Sequence, residues 1–365
     1  MSSWRNKGAE SESRWGQGAA VVDNLLYVYG GKTDQFGSYS YTSAPTTNDL
    51  FTLDLSQSFH SESPSWQYVC GSEDSSTRQG QQLAWHTLSA YNTSQLLLFG
   101  GDGGPNSPIV LPSEANSANL LDVGGSDEPT WINEQEGWAG QPSRRIHHTA
   151  TSIGGKVYIV GGERDDGSDF GYSDHYVFDP SVPSFRQLPS ENGPPDIYGH
   201  GSVVLSDGRI LFFGGYSLSE SRLVPFSTIW SLDTRQSNLS WSTENVSEDS
   251  VPSGRRAFAY TWLQGDRVLI HGGSDADFQT SYSDGWVLDA TTSPMTWSNV
   301  SALTQIGARR DHFAVQVGTQ VLFGFGEHFS FYHSFVHAIV CQQRRECYRL
   351  WNKCGSVCDA PRVQL

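Results

Sequence analysis

Histidine and arginine recur at one phase of this 365-residue chain: His86, Arg145 with His147 and His148, His200, Arg255 with Arg256, and Arg309 with Arg310 and His312. A neutral imidazole carries one donor and one acceptor and moves protons near neutral pH, whereas guanidinium is a fixed cation with five donors in a planar fork. If His86, Arg145, His148, His200, Arg256, Arg310 and His312 lined a channel, they could hold an anionic or sugar ligand. The stronger reading is that the same groups hydrogen-bond neighbouring backbone and carboxylates, as buried polar groups must. A second polar set, Asp102, Glu163, Tyr216, His271, Asp275 and Glu327, follows a recurring Gly-Gly signal and reads as a face of connecting loops, where function concentrates.

Such residues need a scaffold that returns them to one place. In "KVYIVGGERDDGSDFGYSDHYVFD", residues 156–179, an apolar run stops at Gly161-Gly162 and gives way to a charged loop. A phosphate-binding loop would need spaced glycines and then a helix whose first amides face the anion. The loop here has no helical period and would place carboxylates where the anion should sit. The phrase instead recurs. "LLYVYGG" ends at Gly31, "LLLFGG" at Gly101, "RILFFGG" at Gly215, "RVLIHGG" at Gly273 and a degenerate "VLFGFG" at Gly326, in steps of 70, 61, 53, 58 and 53 residues. Self-similarity at such a period marks propellers and arrays.

Other features keep the same phase. A short apolar strand such as "HHTATSI" or "GSVVLS" precedes the glycine strand across a GG, DG or GD turn, which is a hairpin signal. A polar loop follows, then a strand closing near Asp54, Asp122, Asp179, Asp233 or Asp289, then Trp66, Trp131, Phe185, Trp241 or Trp297. Each unit spells four short antiparallel strands, the form of a propeller blade. The Gly-Gly strand, the Asp-terminated strand and the spaced aromatic resemble the kelch motif, from Trp4 to about Gly326. The resemblance implies an all-β, six-bladed kelch β-propeller in one domain, residues 1–340. Its blade cores fall at about 14–70, 80–134, 145–188, 198–243, 255–299 and 309–340 plus 1–8. The stretch around Trp4 is expected to close the last blade as its outer strand, because an open ring leaves exposed edges. At best Ser334 to Val340 supplies that blade's third strand. Residues 341–365 are basic, carry Cys341, Cys347, Cys354 and Cys358 at spacings unlike a zinc site, and read as a disordered or aberrant tail.

Charge and hydropathy exclude some partners. With Asp+Glu 39 against Lys+Arg 23 the net charge is −16, a field that repels nucleic acid and anionic lipid. No stretch approaches the roughly 20 apolar residues that span a bilayer, and the first residues have no apolar segment for a signal peptide, so no membrane insertion is expected. Asn92, Asn238, Asn245 and Asn299 stand in glycosylation sequons. Phrases such as "RRIHHTA" and "RRDHFAVQVG" are similar to fungal cell-surface kelch proteins labelled galactose oxidase-like, which implies an extracellular or surface location.

That label also implies copper held by a Tyr cross-linked to Cys, a second Tyr and two His. Cys70 is the one thiol outside the tail and falls on an outer strand, and Tyr332-His333 is the one adjacent Tyr-His pair. No metal, cofactor or catalytic residue is assigned. An isomerising enzyme would instead need a carboxylate and a histidine in the channel. The expectation is a monomeric, non-catalytic interaction module that binds a protein or glycan through loops 34–47 and 102–119. The alternative is a carbohydrate-active propeller enzyme.

Overall fold

In the computed structural model, residues 13–34, 37–59, 64–70, 80–104, 117–125, 129–133, 137–327 and 337–340 are described. They form an all-β molecule of antiparallel sheets, and in each of the larger ones the strands pair side by side in chain order. Short runs of Val, Leu, Ile and aromatic residues make the strands, and turns with positive φ end them, as at Gly154 and Gly155 between Thr149–Ile153 and Lys156–Val160. Five sheets have four strands. The first contains Gly18–Val22, Leu25–Tyr29, Leu50–Asp54 and Gln67–Cys70, and the second Ala84–Ala90, Gln95–Asp102, Ala118–Asp122 and Thr130–Asn133. The third adds Tyr176–Asp179 and Ser184–Gln187 to the hairpin above. The fourth is Gly201–Val204, Arg209–Phe213, Ile229–Asp233 and Trp241–Thr243, and the fifth Ala259–Leu263, Arg267–His271, Gly285–Asp289 and Thr296–Asn299. The sixth has three described strands, Phe313–Val317, Gln320–Gly324 and His337–Val340, so the third strand anticipated in the 334–340 stretch is present. Trp4 and the tail from residue 341 lie outside the described residues.

The double glycines are joints between sheets. The N–H of the second glycine donates to the next sheet: Gly31 to Leu83 O (2.8 Å), Gly101 to Arg145 O (2.9 Å), Gly162 to Ile197 O (2.8 Å), Gly215 to Arg255 O (2.9 Å) and Gly273 to Arg309 O (2.9 Å). Gly326 then donates to Arg14 O at 2.8 Å, from the sixth sheet back to the residues that lead into the first. Gly161 shows why the preceding position is glycine: its φ is +64°, and a Cβ would lie 2.1 Å from Ile197 O. The phase aromatics fill the same joints. Trp131 packs 5.0 Å from Tyr29, Phe185 5.8 Å from Phe99, and Trp297 6.3 Å from Phe213, each on the preceding sheet. Trp66 lies 5.5 Å from Phe325 across the first and sixth sheets, and Trp241 donates through Nε1 to Pro189 O at 2.7 Å. Between the fifth and sixth sheets, Leu303 and Ile306 of the short 3-10 helix Ser301–Ile306 pack on Val321 and Phe323.

Candidate functional site

Just ahead of each innermost strand, Gly16, Trp85, His147, Gly199, Ala257 and Asp311 occupy equivalent positions, and all six have φ between +52° and +66°. That left-handed backbone turns each peptide toward its neighbour. Trp85 N–H donates to Gly16 O (2.7 Å), His147 to Trp85 O (3.2 Å), Gly199 to His147 O (2.8 Å), Ala257 to Gly199 O (2.9 Å) and Asp311 to Ala257 O (2.9 Å). Gln17 Nε2 donates to Asp311 O at 3.2 Å and completes the circle. Inside it the innermost strands border a channel cavity of about 230 Å³.

Of the seven channel candidates, His86, His148 and His200 border this cavity. His148 Nε2 meets Thr87 Oγ1 at 2.8 Å and His200 Nε2 meets Thr149 Oγ1 at 2.9 Å, each tying one sheet to the next. Burial pushes the imidazoles of His86 and His200 down to about 3, so these rings are neutral hydrogen-bonding groups rather than anion-binding cations. The other four do not border the cavity. Arg145 is fully buried, with Nη1 donating to Gly161 O (3.1 Å), Nη2 3.1 Å from an Asp174 carboxylate oxygen and its guanidinium 4.1 Å above the Tyr172 ring. Arg255 and Arg309 bind the carbonyls of Gly272 and Phe325 in the same way. These guanidiniums satisfy carbonyls inside each sheet, as a buried cation must. His312 pairs with His271, Nε2 to Nδ1 at 2.9 Å. His271 was expected on a loop; it ends the strand Arg267–His271 and is fully buried, because the strand reaches the glycine pair itself.

Arg256 and Arg310 belong instead to the face at the channel's mouth. Residues preceding the innermost strands bridge there to residues just past the glycines: Ile146 to Glu163, Arg256 to Ser274, Arg310 to Glu327, and Tyr198 to Tyr216. The two candidate sets therefore meet on one surface. Arg256 stacks 3.7 Å from the Phe278 ring centroid and donates to the Tyr198 hydroxyl, while Arg310 lies 4.2 Å over Tyr41 and pairs with Glu327 at 2.5 Å. Tyr41 reaches across the mouth, donating its hydroxyl to Asp311 and packing 5.5 Å from Trp85 and 5.4 Å from Phe278. Burial beside Asp311 pushes the Tyr41 phenol well above its ordinary value. His147 Nδ1 meets Glu163 Oε1 at 3.0 Å. Asp102 and Asp275 are half-buried and cap their own turns through Gly104 N (2.7 Å) and Gln279 N (2.9 Å).

A family model described as the KLHDC2/KLHL20/DRC7 Kelch-repeats domain matches residues 85–327. The chain belongs to this kelch-repeat family. Its kelch stretch is 30% identical over 301 residues to "Putative adagio-like protein 2" of Oryza sativa subsp. japonica, covering 80% of this chain and 43% of that protein. It is 28% identical over 295 residues to "Adagio protein 3" of Arabidopsis thaliana, covering 80% and 43%. An F-box/kelch-repeat protein of Arabidopsis thaliana is 27% identical over 232 residues, covering 58% and 45%. The kelch chain thus spans less than half the length of these relatives. These relatives are plant proteins, and they do not support the expected likeness to fungal surface proteins.

Trp85, Tyr198 and Phe278 escaped sequence reasoning, whereas Tyr41 lies in the 34–47 loop expected to bind. The four stand at different phases of different repeats, and only the closed arrangement of sheets brings them together. Among the described residues no group of three or more His, Cys, Asp or Glu side chains is placed to hold a metal, and no helix is long and apolar enough to cross a membrane. Cys70 lies buried on the outer strand Gln67–Cys70, away from the channel, and does not fit a copper-linked Tyr-Cys pair; Tyr332 and His333 lie outside the described residues.

Proposed function

We propose that this chain is a six-bladed kelch propeller that works as a non-catalytic interaction module, with a protein partner seated on the face formed by the loops after the double glycines. The convergence of Arg256, Arg310, Tyr41, Tyr198, Phe278 and Trp85 at that mouth supports the reading, since aromatic residues and arginine dominate the energetics of protein interfaces. Tyr39 and Phe170, 49% and 47% exposed, extend the same face outward. The propeller is assigned to residues 1–340 and to a monomer. A photo-crosslinking residue at Tyr39 or Phe170 should capture a partner that the same residue at Val182, at the opposite ends of the strands, does not. Capture from Val182 alone would reverse the assignment of faces.

The His147–Glu163 pair favours a second reading, a carbohydrate-active enzyme with His147 as general base. Turnover of any sugar in a screen, lost in His147→Gln, would establish it; no turnover leaves the module. The four sequon asparagines are all exposed, which suits a surface ectodomain. A mobility shift removed by an N-glycosidase after secretion-competent expression would support that location, and its absence would count against it.

A further inference from the structure

The innermost strands carry a threonine–histidine pair at two joints that the joint before them lacks. Thr87 of the second sheet meets His148 of the third, and Thr149 of the third meets His200 of the fourth. The equivalent of Thr87 in the first sheet is Gly18, which has no hydroxyl to offer His86. His86 is only 5% exposed; a hydrogen bond to the Tyr29 backbone serves one ring nitrogen, and no hydroxyl meets the other. Its Nε2 points at the glycine: a Cβ on Gly18 would lie 2.8 Å from it. Two more buried polar atoms at the same place lack partners among the described residues, Trp85 Nε1 beside Gly16 and Gln17 Oε1. Gln17, Gly18, Trp85 and His86 all border the channel cavity. Buried polar atoms are almost always paired; His147 Nε2, His148 Nδ1 and His200 Nδ1 on the same cavity also lack partners among the described residues, and the three atoms beside Gly16–Gly18 mark the place where a ligand completes the pairing.

The three atoms specify its chemistry. An indole N–H only donates, an amide oxygen only accepts, and a neutral imidazole does either according to its tautomer. No lysine or arginine borders the cavity, and the one carboxylate that does, on Asp311, already accepts the Tyr41 hydroxyl. Burial keeps His86 uncharged. An anion would therefore find no counter-charge and a cation only the Asp311 carboxylate, and burying an under-paired ion is far costlier than burying a neutral group. At about 230 Å³ the space is far larger than one water requires and smaller than the roughly 300 Å³ at which drug-sized sites begin. A carboxamide presents an acceptor oxygen and a donor nitrogen side by side in one plane, which matches a donor set beside an acceptor. We propose that the pocket between Gly16–Gly18 and Trp85–His86 binds a small neutral carboxamide, its oxygen accepting from Trp85 Nε1 and its amino group donating to Gln17 Oε1, with His86 as the third contact. The group could come from a free amide or from an Asn or Gln side chain of a partner.

Indole N–H resonances report on the site directly. In 15N-labelled protein the Trp85 signal, assigned by its loss in Trp85→Phe, is followed while acetamide, the tripeptide Gly-Gln-Gly, acetate or 1-propanol is added. Acetamide or the tripeptide should move it saturably, and His86→Phe and Gln17→Leu should each raise the half-saturation concentration about tenfold or more. Saturation by the tripeptide at lower concentration than acetamide assigns the group to a partner's side chain; the reverse order assigns it to a free amide. If neither amide gives a saturable shift, or acetate or propanol gives the same one, the proposal falls. Should His86→Phe lose its native circular dichroism, Gln17→Leu carries the comparison.

Discussion

Replacing Gly161 by alanine tests the claim that the double glycines are joints rather than turns. Alanine at φ +64° takes on the left-handed penalty of about 1–2 kcal/mol. Its Cβ would stand 2.1 Å from Ile197 O and 2.9 Å from His200 Cε1, so the carbonyl must retreat. Retreat strains the neighbouring strand, at about 1–3 kcal/mol, and weakens the 2.8 Å bond from Gly162 N–H to that carbonyl, at about 0.5–1.5 kcal/mol. The expected loss is about 3–5 kcal/mol. For a chain of this length each kcal/mol moves the melting temperature about 1.5 °C, so scanning calorimetry should show a fall of about 5–7 °C. Gly154→Ala is the control, because φ is +59° there and a Cβ meets nothing within 4 Å. Phe325 occupies the corresponding place in the sixth sheet at φ +59°, which shows that the left-handed backbone alone is tolerated. Equal losses in the two alanine variants would refute the joint and leave only the backbone penalty.

Trp297, 3% exposed and donating through Nε1 to Phe226 O at 3.0 Å, should cost about 3–5 kcal/mol when cut to alanine; a loss below about 1 kcal/mol in denaturant unfolding would remove it from the joint. Arg255→Leu should cost about 2 kcal/mol or more, because it leaves Asp284 and Gly272 O without their guanidinium partner. Adding Asp284→Leu should recover part of that loss, and a strictly additive double mutant would argue that the pair is not coupled. Acid should destabilise the fold. Burial pushes His86, His200 and His271 down to about 3 and His175 to about 4, while the unfolded chain takes up these protons near 6.5. The stabilisation is complete above about 6.5 and is lost as pH falls, at up to about 1.4 kcal/mol per pH unit for each ring. Melting temperatures between pH 7.5 and 5 should fall steeply, less so in His86→Phe; a flat profile would mean that the folded rings are protonated.

The repeat was legible because a left-handed residue is a local demand that glycine answers, and six such demands at one phase cannot hide. The strand-turn-strand spelling was legible for the same reason. The fates of the arginines were not. Arg145 and Arg256 look alike as neighbours of the innermost strands, yet one turns into its own sheet toward Gly161 O and the other out onto Phe278. A one-residue offset decides this, and Leu83 and Ile197 stand where the arginine register is interrupted. His271 was misplaced although the sequence sets it ahead of Gly272-Gly273, on the strand that the glycines end. The reach of Tyr41 to Asp311 depends on a contact between separate sheets that no local pattern encodes, whereas Glu163 meets His147 across the open end of one hairpin.

The bond from Gly326 N–H to Arg14 O has the same form and nearly the same length as the five that precede it, so the hydrogen-bonded circuit has no weak link where the sixth sheet meets the first. Loads are then shared: pulling on one sheet loads both of its flanking joints, and parting any single joint turns a circuit into an arc with two unsatisfied flanks. Such an arc is a template for pairing with another molecule. Partial opening is therefore the dangerous state for this protein, and selection for solubility would act on the joints as a set rather than on the sheets one at a time.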